Sequence, residues 1–209
     1  MMRKAFNLVL TGVGGQGITT LASVIADAAD KRQVNIRVAE VRGMSQRGGS
    51  VVVHIRMGNV YSPIIPVGAA DAIVSLELIE AVRSLSYAHE KTIIVTGTKV
   101  IPPPLPGIKI PNVEELRRIL NKTSLRTLYV DVEKIAYETT GELLTSNMVM
   151  LGFILGLGIL DDYIGIDDVR SVVSFLRQRE ANLKALEAGY KYGRKCRGVT
   201  PSHGECAES

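Results

Sequence analysis

Tryptophan is absent from this 209-residue sequence, phenylalanine occurs three times and cysteine twice. Each scarcity removes a class of function. With so few large aromatic rings, the chain offers no stacking platform for single-stranded nucleic acid. The charge balance points the same way: Lys and Arg number 25 against 21 Asp and Glu, a net charge of +4. Four of the basic residues, Lys191, Arg194, Lys195 and Arg197, crowd near the C-terminus. The rest of the chain is close to neutral and carries no stripe of charge for a phosphate backbone. The two cysteines, Cys196 and Cys206, fall in the polar C-terminal part and form no Cys-x-x-Cys pair, which supports neither a zinc site nor an iron–sulfur cluster.

Long apolar runs are also missing. Met148 to Leu160 is almost wholly apolar but has only 13 residues, with Thr145, Ser146 and Asn147 before it and Asp161 and Asp162 after. That is too short to span a bilayer and fits a buried core helix. At the N-terminus, Arg3 and Lys4 precede an apolar run that meets Thr11-Gly12 too soon for a secretory signal. The expectation is a cytoplasmic protein without a membrane segment. No Gly-Lys-Ser/Thr follows a glycine run, so there is no Walker-type phosphate loop, and no Gly-x-Ser-x-Gly nucleophile elbow occurs.

What is present is a soluble globular composition, 46% hydrophobic and 22% charged, long enough to bury a sizeable core. Its first motif is Gly12-Val-Gly-Gly-Gln-Gly17, between the apolar run Ala5–Leu10 and an amphipathic pattern that starts at Ile18. This reads as strand, glycine turn, helix. Such a turn brings backbone N–H groups close to a ligand, and the helix N-terminus behind it favours negative charge. Gly12, Gly14, Gly15, Gln16 and Gly17 are therefore candidate binding residues. The competing reading is a tight turn that only packs strand on helix.

The remaining pattern alternates. The first helix shows Ile18, Leu21, Ala22, Ile25, Ala26 and Ala29 on one face. Strands are predicted at Ile36–Val41 and Ser50–Met57, separated only by Arg42–Gly49. A parallel crossover needs a dozen or more residues, so these two strands are antiparallel or lie in separate layers. Further strands are predicted at Ala72–Leu76, Lys91–Thr96 and Arg126–Val130. Helices are predicted at Glu77–Tyr87, Val113–Leu120, Val132–Thr139, the core segment ending near Gly158, Val169–Leu176 with Asp167 as N-cap, and Ala181–Tyr190. Asn112 and Glu115 have capping-box spacing. Ile101-Pro-Pro-Pro-Leu-Pro-Gly107 is a stiff loop. The predicted fold is α/β, three layers α/β/α around a mixed, Rossmann-like sheet. One domain spans 1–197, and the tail 198–209 has the composition of disorder.

A second motif, Gly43-Met-Ser-Gln-Arg-Gly-Gly-Ser50, sits at the end of the second strand, where open α/β sheets gather ligands. Ser45, Gln46, Arg47, Gly48 and Gly49 join the candidate site, with Arg47 able to fork onto a phosphate or carboxylate. A glycine-rich turn with a solvated arginine accounts for the same residues. His54, mid-strand, and His89, before a strand, read as packing or surface groups, and His203 lies in the tail. Asp71 and Glu77 flank a buried strand and are expected to cap or solvate its ends. Glu40, near the end of the second strand, stands where a dinucleotide-binding fold places its ribose-binding acid, which supports an NAD(P)-binding oxidoreductase. The missing crossover helix after it counts against that. A purely structural scaffold with an empty glycine turn is a third reading.

The two glycine motifs, Tyr61-Ser-Pro-Ile-Ile-Pro66, Asn147-Met-Val-Met-Leu-Gly152 and Asn182-Leu-Lys-Ala-Leu-Glu-Ala-Gly189 occur in that order. From about Asn7 to Tyr190 the sequence resembles the gamma-type domain of the 2-oxoacid:ferredoxin oxidoreductases, most nearly the beta subunit of the indolepyruvate branch. The Gly43–Ser50 loop is the most specific element of the likeness. The resemblance implies a subunit, inactive alone, of a complex that decarboxylates an aryl pyruvate, joins the acyl group to coenzyme A and passes two electrons to ferredoxin. It implies a larger alpha subunit holding thiamine diphosphate, magnesium and [4Fe–4S] clusters, with coenzyme A as a ligand at or near the present chain. The sequence agrees with that division: it has no cysteine cluster and no Gly-Asp-Gly of the kind that holds a diphosphate through magnesium.

Overall fold

The computed structural model describes residues 4–42, 49–102, 110–123, 126–198 and 204–205. Strand β1 (Phe6–Val13) is buried from Leu8 onward, as expected of a strand at the centre of a sheet with both faces covered. The glycine turn follows, then helix α1 (Ile18–Lys31), which buries Ile18, Leu21, Ala22, Val24, Ile25, Ala28 and Ala29. Strands β2 (Ile36–Arg42) and β3 (Ser50–Met57) come next. They pair antiparallel, Ile36 opposite Met57 and Arg42 opposite Val51, so the short connection gives the first of the two arrangements the sequence allowed.

The chain then alternates: β4 (Ala72–Ser75), α2 (Leu78–Arg83) with a 3-10 turn over Ser84–Tyr87, β5 (Ile93–Gly97), α3 (Val113–Thr123), β6 (Arg126–Val130) and α4 (Val132–Thr140). Three helices follow, α5 (Ser146–Gly156), α6 (Ile166–Val173) and α7 (Arg179–Cys196). The two-residue strand β7 (Gly204–Glu205) pairs parallel with β6. The sheet order is β2-β3-β1-β4-β5-β6-β7. Only β3 runs against its neighbours; β1, β4, β5, β6 and β7 are parallel in sequence across the sheet. One core cluster joins Leu8, Leu10, Ile55 and Val74 to α1, α4, α5, α6 and α7, and the other joins Val9, Ile73 and Ile94 to α2 and α3. This is the predicted three-layer α/β/α architecture with a mixed sheet.

Helix boundaries moved where local chemistry outweighed apolar periodicity. Helix α6 begins at Ile166, not Val169, because its N-cap is Gly165. The carboxylate of Asp168 accepts the Gly165 N–H at 2.7 Å, so the acid that matters is three residues inside the helix and Asp167 is not the cap. Helix α7 runs on to Cys196, which is buried rather than placed in a polar tail. Helix α5 is buried over every residue from Asn147 to Gly156. It packs on α7 through glycines on both sides. A Cβ on Gly152 would lie 2.0 Å from the Leu186 carbonyl oxygen, and one on Gly189 would lie 2.0 Å from that of Val149. Gly156 and Gly193 repeat the contact one turn on, so the two backbones touch between Val149 and Gly156 on α5 and between Leu186 and Arg194 on α7. This close packing holds the start of α5 against the glycine turn.

Candidate functional site

The carboxyl ends of β1, β4, β5 and β6 converge on one edge of the sheet, and the glycine turn lies there. Helix α1 leaves β1 over one face and α2 leaves β4 over the other, so the edge between β1 and β4 is the point at which ligands enter folds of this kind. A crevice of about 160 Å³ opens at this edge. Its lining joins Gly15 and Gln16 to Leu76, Val132, Glu133, Leu143, Leu144 and Ser146.

Each glycine of the turn has a different reason. Gly12 is still within β1; a Cβ there would meet Gln16 Oε1 and Ile18 Cδ1 at 2.8 Å. Gly14 donates its N–H to the Gly49 carbonyl at 2.9 Å. Gly15 has a φ of +106° and a Cβ on it would meet nothing within 4 Å, so bare backbone faces the crevice. Gly17 caps α1 with a φ of +79°, and a Cβ there would lie 2.4 Å from Asn147 Nδ2. Gln16 braces the turn from within. Its Oε1 accepts the Val13 N–H at 2.8 Å and its Nε2 donates to the Leu76 carbonyl at 3.3 Å, tying β1 to the end of β4.

The electrostatics favour an anion. The first-turn N–H groups of α1 lack intrahelical partners, as at any helix start, and α1 has neither a side-chain cap nor an acid in its first turn. Among the described residues no side chain caps that end, an arrangement suited to an anionic ligand.

Of the second motif, Gly49 is described, and its carbonyl is the acceptor that joins the two glycine loops. Ser45, Gln46, Arg47 and Gly48 lie outside the described residues. Glu40 accepts a hydrogen bond from Thr19 Oγ1 at 3.0 Å, so it does stand near the first turn of α1. However, β3 separates β2 from β1, which sets Glu40 one strand spacing, about 4.8 Å, further from the turn than in a dinucleotide fold. His54 Nδ1 accepts the Ile65 N–H at 3.2 Å, and burial lowers the imidazole's pKa, so the ring is a neutral packing group. His89 Nδ1 accepts the Lys91 N–H.

Sequence reasoning missed a buried acidic pair beside the site. Glu77 is fully buried rather than solvated, and Glu80 is 2% exposed. Glu77 Oε2 accepts the Glu80 N–H at 2.7 Å and Oε1 accepts the Ile101 N–H at 2.9 Å. Burial pushes the Glu77 carboxyl above the usual carboxylate range, against the pull of these bonds, and the charge of Glu80 adds to the rise. Glu80 accepts from Ser50 Oγ at 2.5 Å and from Arg83 Nη1 at 2.7 Å. The signal was the spacing: two acids three apart at the start of a helix, in capping position. A wider cavity of about 580 Å³ opens between the end of α4 and residues Gln178–Lys184 of α7, and none of the sequence-derived candidates lines it.

Among the described residues no cluster of His, Cys, Asp and Glu could hold a metal ion, and no helix is long and apolar enough to cross a membrane. The two cysteines of the whole sequence cannot supply the four thiolates of a [4Fe–4S] cluster.

Known proteins carry the same pattern. Residues 7–192 match the family described as pyruvate ferredoxin/flavodoxin oxidoreductase. The chain is 38% identical over 190 residues to indolepyruvate oxidoreductase subunit IorB of Archaeoglobus fulgidus, covering 88% of this chain and 93% of that one. It is 36% identical over 196 residues to the protein of the same name in Pyrococcus horikoshii, covering 90% and 96%. Among solved structures, pyruvate oxidoreductase subunit PORC of Thermotoga maritima superposes with a TM-score of 0.66 at 18% identity, covering 90% of this chain and 97% of that one. The 2-oxoglutarate:ferredoxin oxidoreductase of Magnetococcus marinus, solved with 2-oxoglutarate, coenzyme A and succinyl-CoA bound, gives a TM-score of 0.68 at 15% identity. This chain aligns over 97% of its own length but only 32% of that longer chain. At such identities the structural likeness speaks to the fold alone.

Proposed function

The chain belongs to the pyruvate ferredoxin/flavodoxin oxidoreductase family and is a subunit of a 2-oxoacid:ferredoxin oxidoreductase, and on that premise we propose that its glycine turn holds the anionic end of coenzyme A in a complex acting on indolepyruvate and other aryl pyruvates. The overall reaction consumes the 2-oxo acid, coenzyme A and two oxidised ferredoxins. It yields the acyl-CoA, carbon dioxide, two reduced ferredoxins and a proton. In this reading a larger alpha subunit supplies thiamine diphosphate, magnesium and the iron–sulfur clusters, and the present chain supplies binding. The relatives' names support the indolepyruvate branch. The observation that carries the coenzyme A reading is Gly15: bare backbone at the mouth of the crevice, beside a helix N-terminus that no side chain caps among the described residues.

The donor set fits a phosphate better than a metal or a redox group, because it consists of backbone N–H groups and no thiolate or carboxylate cluster. The crevice wall adds an apolar component. Leu143 and Leu144 are 51% and 75% exposed at its rim, an arrangement suited to cover by the pantetheine arm or by the partner subunit.

Gly15→Asp tests this. A Cβ at this position meets nothing within 4 Å, and the added carboxylate would repel a phosphate at the proposed site. In the assembled complex the KM for coenzyme A should rise at least about tenfold, while decarboxylation of indolepyruvate without coenzyme A stays near wild type. The φ of +106° makes any side chain at Gly15 strained, about 1–3 kcal/mol, so a thermal melt must first show a folded complex. An unchanged KM in a folded variant makes the turn a packing device.

A further inference from the structure

Glu80 is a buried acid whose removal from water is costly and is offset only by specific partners. Its partners give it a geometric purpose. One oxygen holds the half-exposed Arg83, and the other accepts the Ser50 hydroxyl. Ser50 opens β3 and pairs with Val13 at the end of β1. The residue before it, Gly49, accepts the Gly14 N–H through its carbonyl. A continuous path of bonds therefore runs from a side chain on α2, through the start of β3, to the glycine turn. Glu77, one turn earlier, grips the Ile101 N–H in the same manner, so α2 anchors the chain on both sides of the strand ends.

We infer that Glu80 is a positioning residue for the anion site: through Ser50 it fixes Gly49, and Gly49 fixes Gly14 and with it the direction in which the turn presents its N–H groups. The inference rests on the reading of the turn as a coenzyme A site. Glu80 touches no ligand. It acts by holding Gly49 and Ser50 against the end of β1. Without that hold, the turn keeps its glycines but loses its orientation, so binding of coenzyme A weakens while turnover at saturation is spared.

The test is a set of variants in the assembled complex, read as KM for coenzyme A against kcat. Ser50→Ala removes the hydroxyl and leaves Glu80 its bond to Arg83. Glu80→Gln keeps the shape and removes the charge. Each is expected to raise the KM for coenzyme A about tenfold, the low end of the effect of losing a charge-assisted hydrogen bond, with kcat within about twofold. The double variant should be no worse than the worse single one, since both break one path. Ser50→Thr, which keeps a hydroxyl, should restore the wild-type KM, a rescue that a general loss of packing would not produce. If Glu80→Gln does not assemble, Ser50→Ala and Ser50→Thr decide alone. An unchanged KM in Ser50→Ala, or additive effects in the double variant, overturns the inference. If those variants behave as wild type while Gly15→Asp still raises the KM, the site stands and only the positioning role falls. An unchanged KM in Gly15→Asp removes the site itself.

Discussion

At the scale of single residues, the glycines divide by what a side chain would strike. Gly12 and Gly17 have no room because Gln16, Ile18 and Asn147 occupy it; Gly15 has room and leaves it empty. The sequence showed the spacing but not this division, because Asn147 is 130 residues from Gly17 and reaches it only through the packing of α5. Gln16 is the converse case. It was legible as a site residue from its place in the motif, yet its amide is engaged by Val13 and Leu76. Arg47 is the one cation of the second motif, Gly43 to Ser50. Arg47→Ala is expected to leave assembly intact, measured by gel filtration, and to lower kcat/KM of the complex by about 1.5–3 kcal/mol, the cost of a hydrogen bond to a charged group. Wild-type kinetics would return Arg47 to the role of a solvated surface residue.

At the scale of elements, the backbone contact between α5 and α7 carries the firmest expectation. Gly189→Ala puts a methyl 2.0 Å from the Val149 carbonyl, and backbone cannot yield as a side-chain tip can. Overpacking of this kind costs about 3 kcal/mol, which for a chain of this length lowers the melting temperature by roughly 6–12 °C. A melt within 2 °C or so of wild type would show that the helices separate freely. The elements themselves were largely legible. Hydrophobic periodicity placed α1, β3 and β6 at their observed starts, and the eight-residue connection from Arg42 to Gly49 pointed to the antiparallel β2–β3 pair. Periodicity failed at ends set by specific bonds. Asp168 turns back to Gly165 and starts α6 early, and α2 stops at Arg83 and tightens into a 3-10 turn. The burial of the Glu77–Glu80 pair was illegible for another reason. Acids at a strand end usually reach water, and only the tertiary cover over α2 buries these two.

At the scale of the whole molecule, the fold reads as a holder. It has a mixed sheet, a crevice at its carboxyl edge lined by Gly15 and Gln16 of the first glycine motif, and exposed leucines at the crevice rim. Its relatives are named as oxidoreductase subunits, and among its described residues no cluster of His, Cys, Asp and Glu could hold a metal ion. The central claim is that the backbone N–H groups of the glycine turn are the protein's contribution to coenzyme A binding. Hydrogen exchange of the assembled complex, followed by mass spectrometry with and without saturating coenzyme A, tests it most directly, because it reads the N–H groups themselves. The account predicts slowed exchange in the peptide spanning Gly12–Leu21, strongest at Gly15 and from Gly17 to Thr19, while the Gly14 and Gln16 N–H groups, already held by the Gly49 and Val13 carbonyls, change little. Coenzyme A that saturates turnover yet leaves exchange in Gly12–Leu21 unaltered would contradict it.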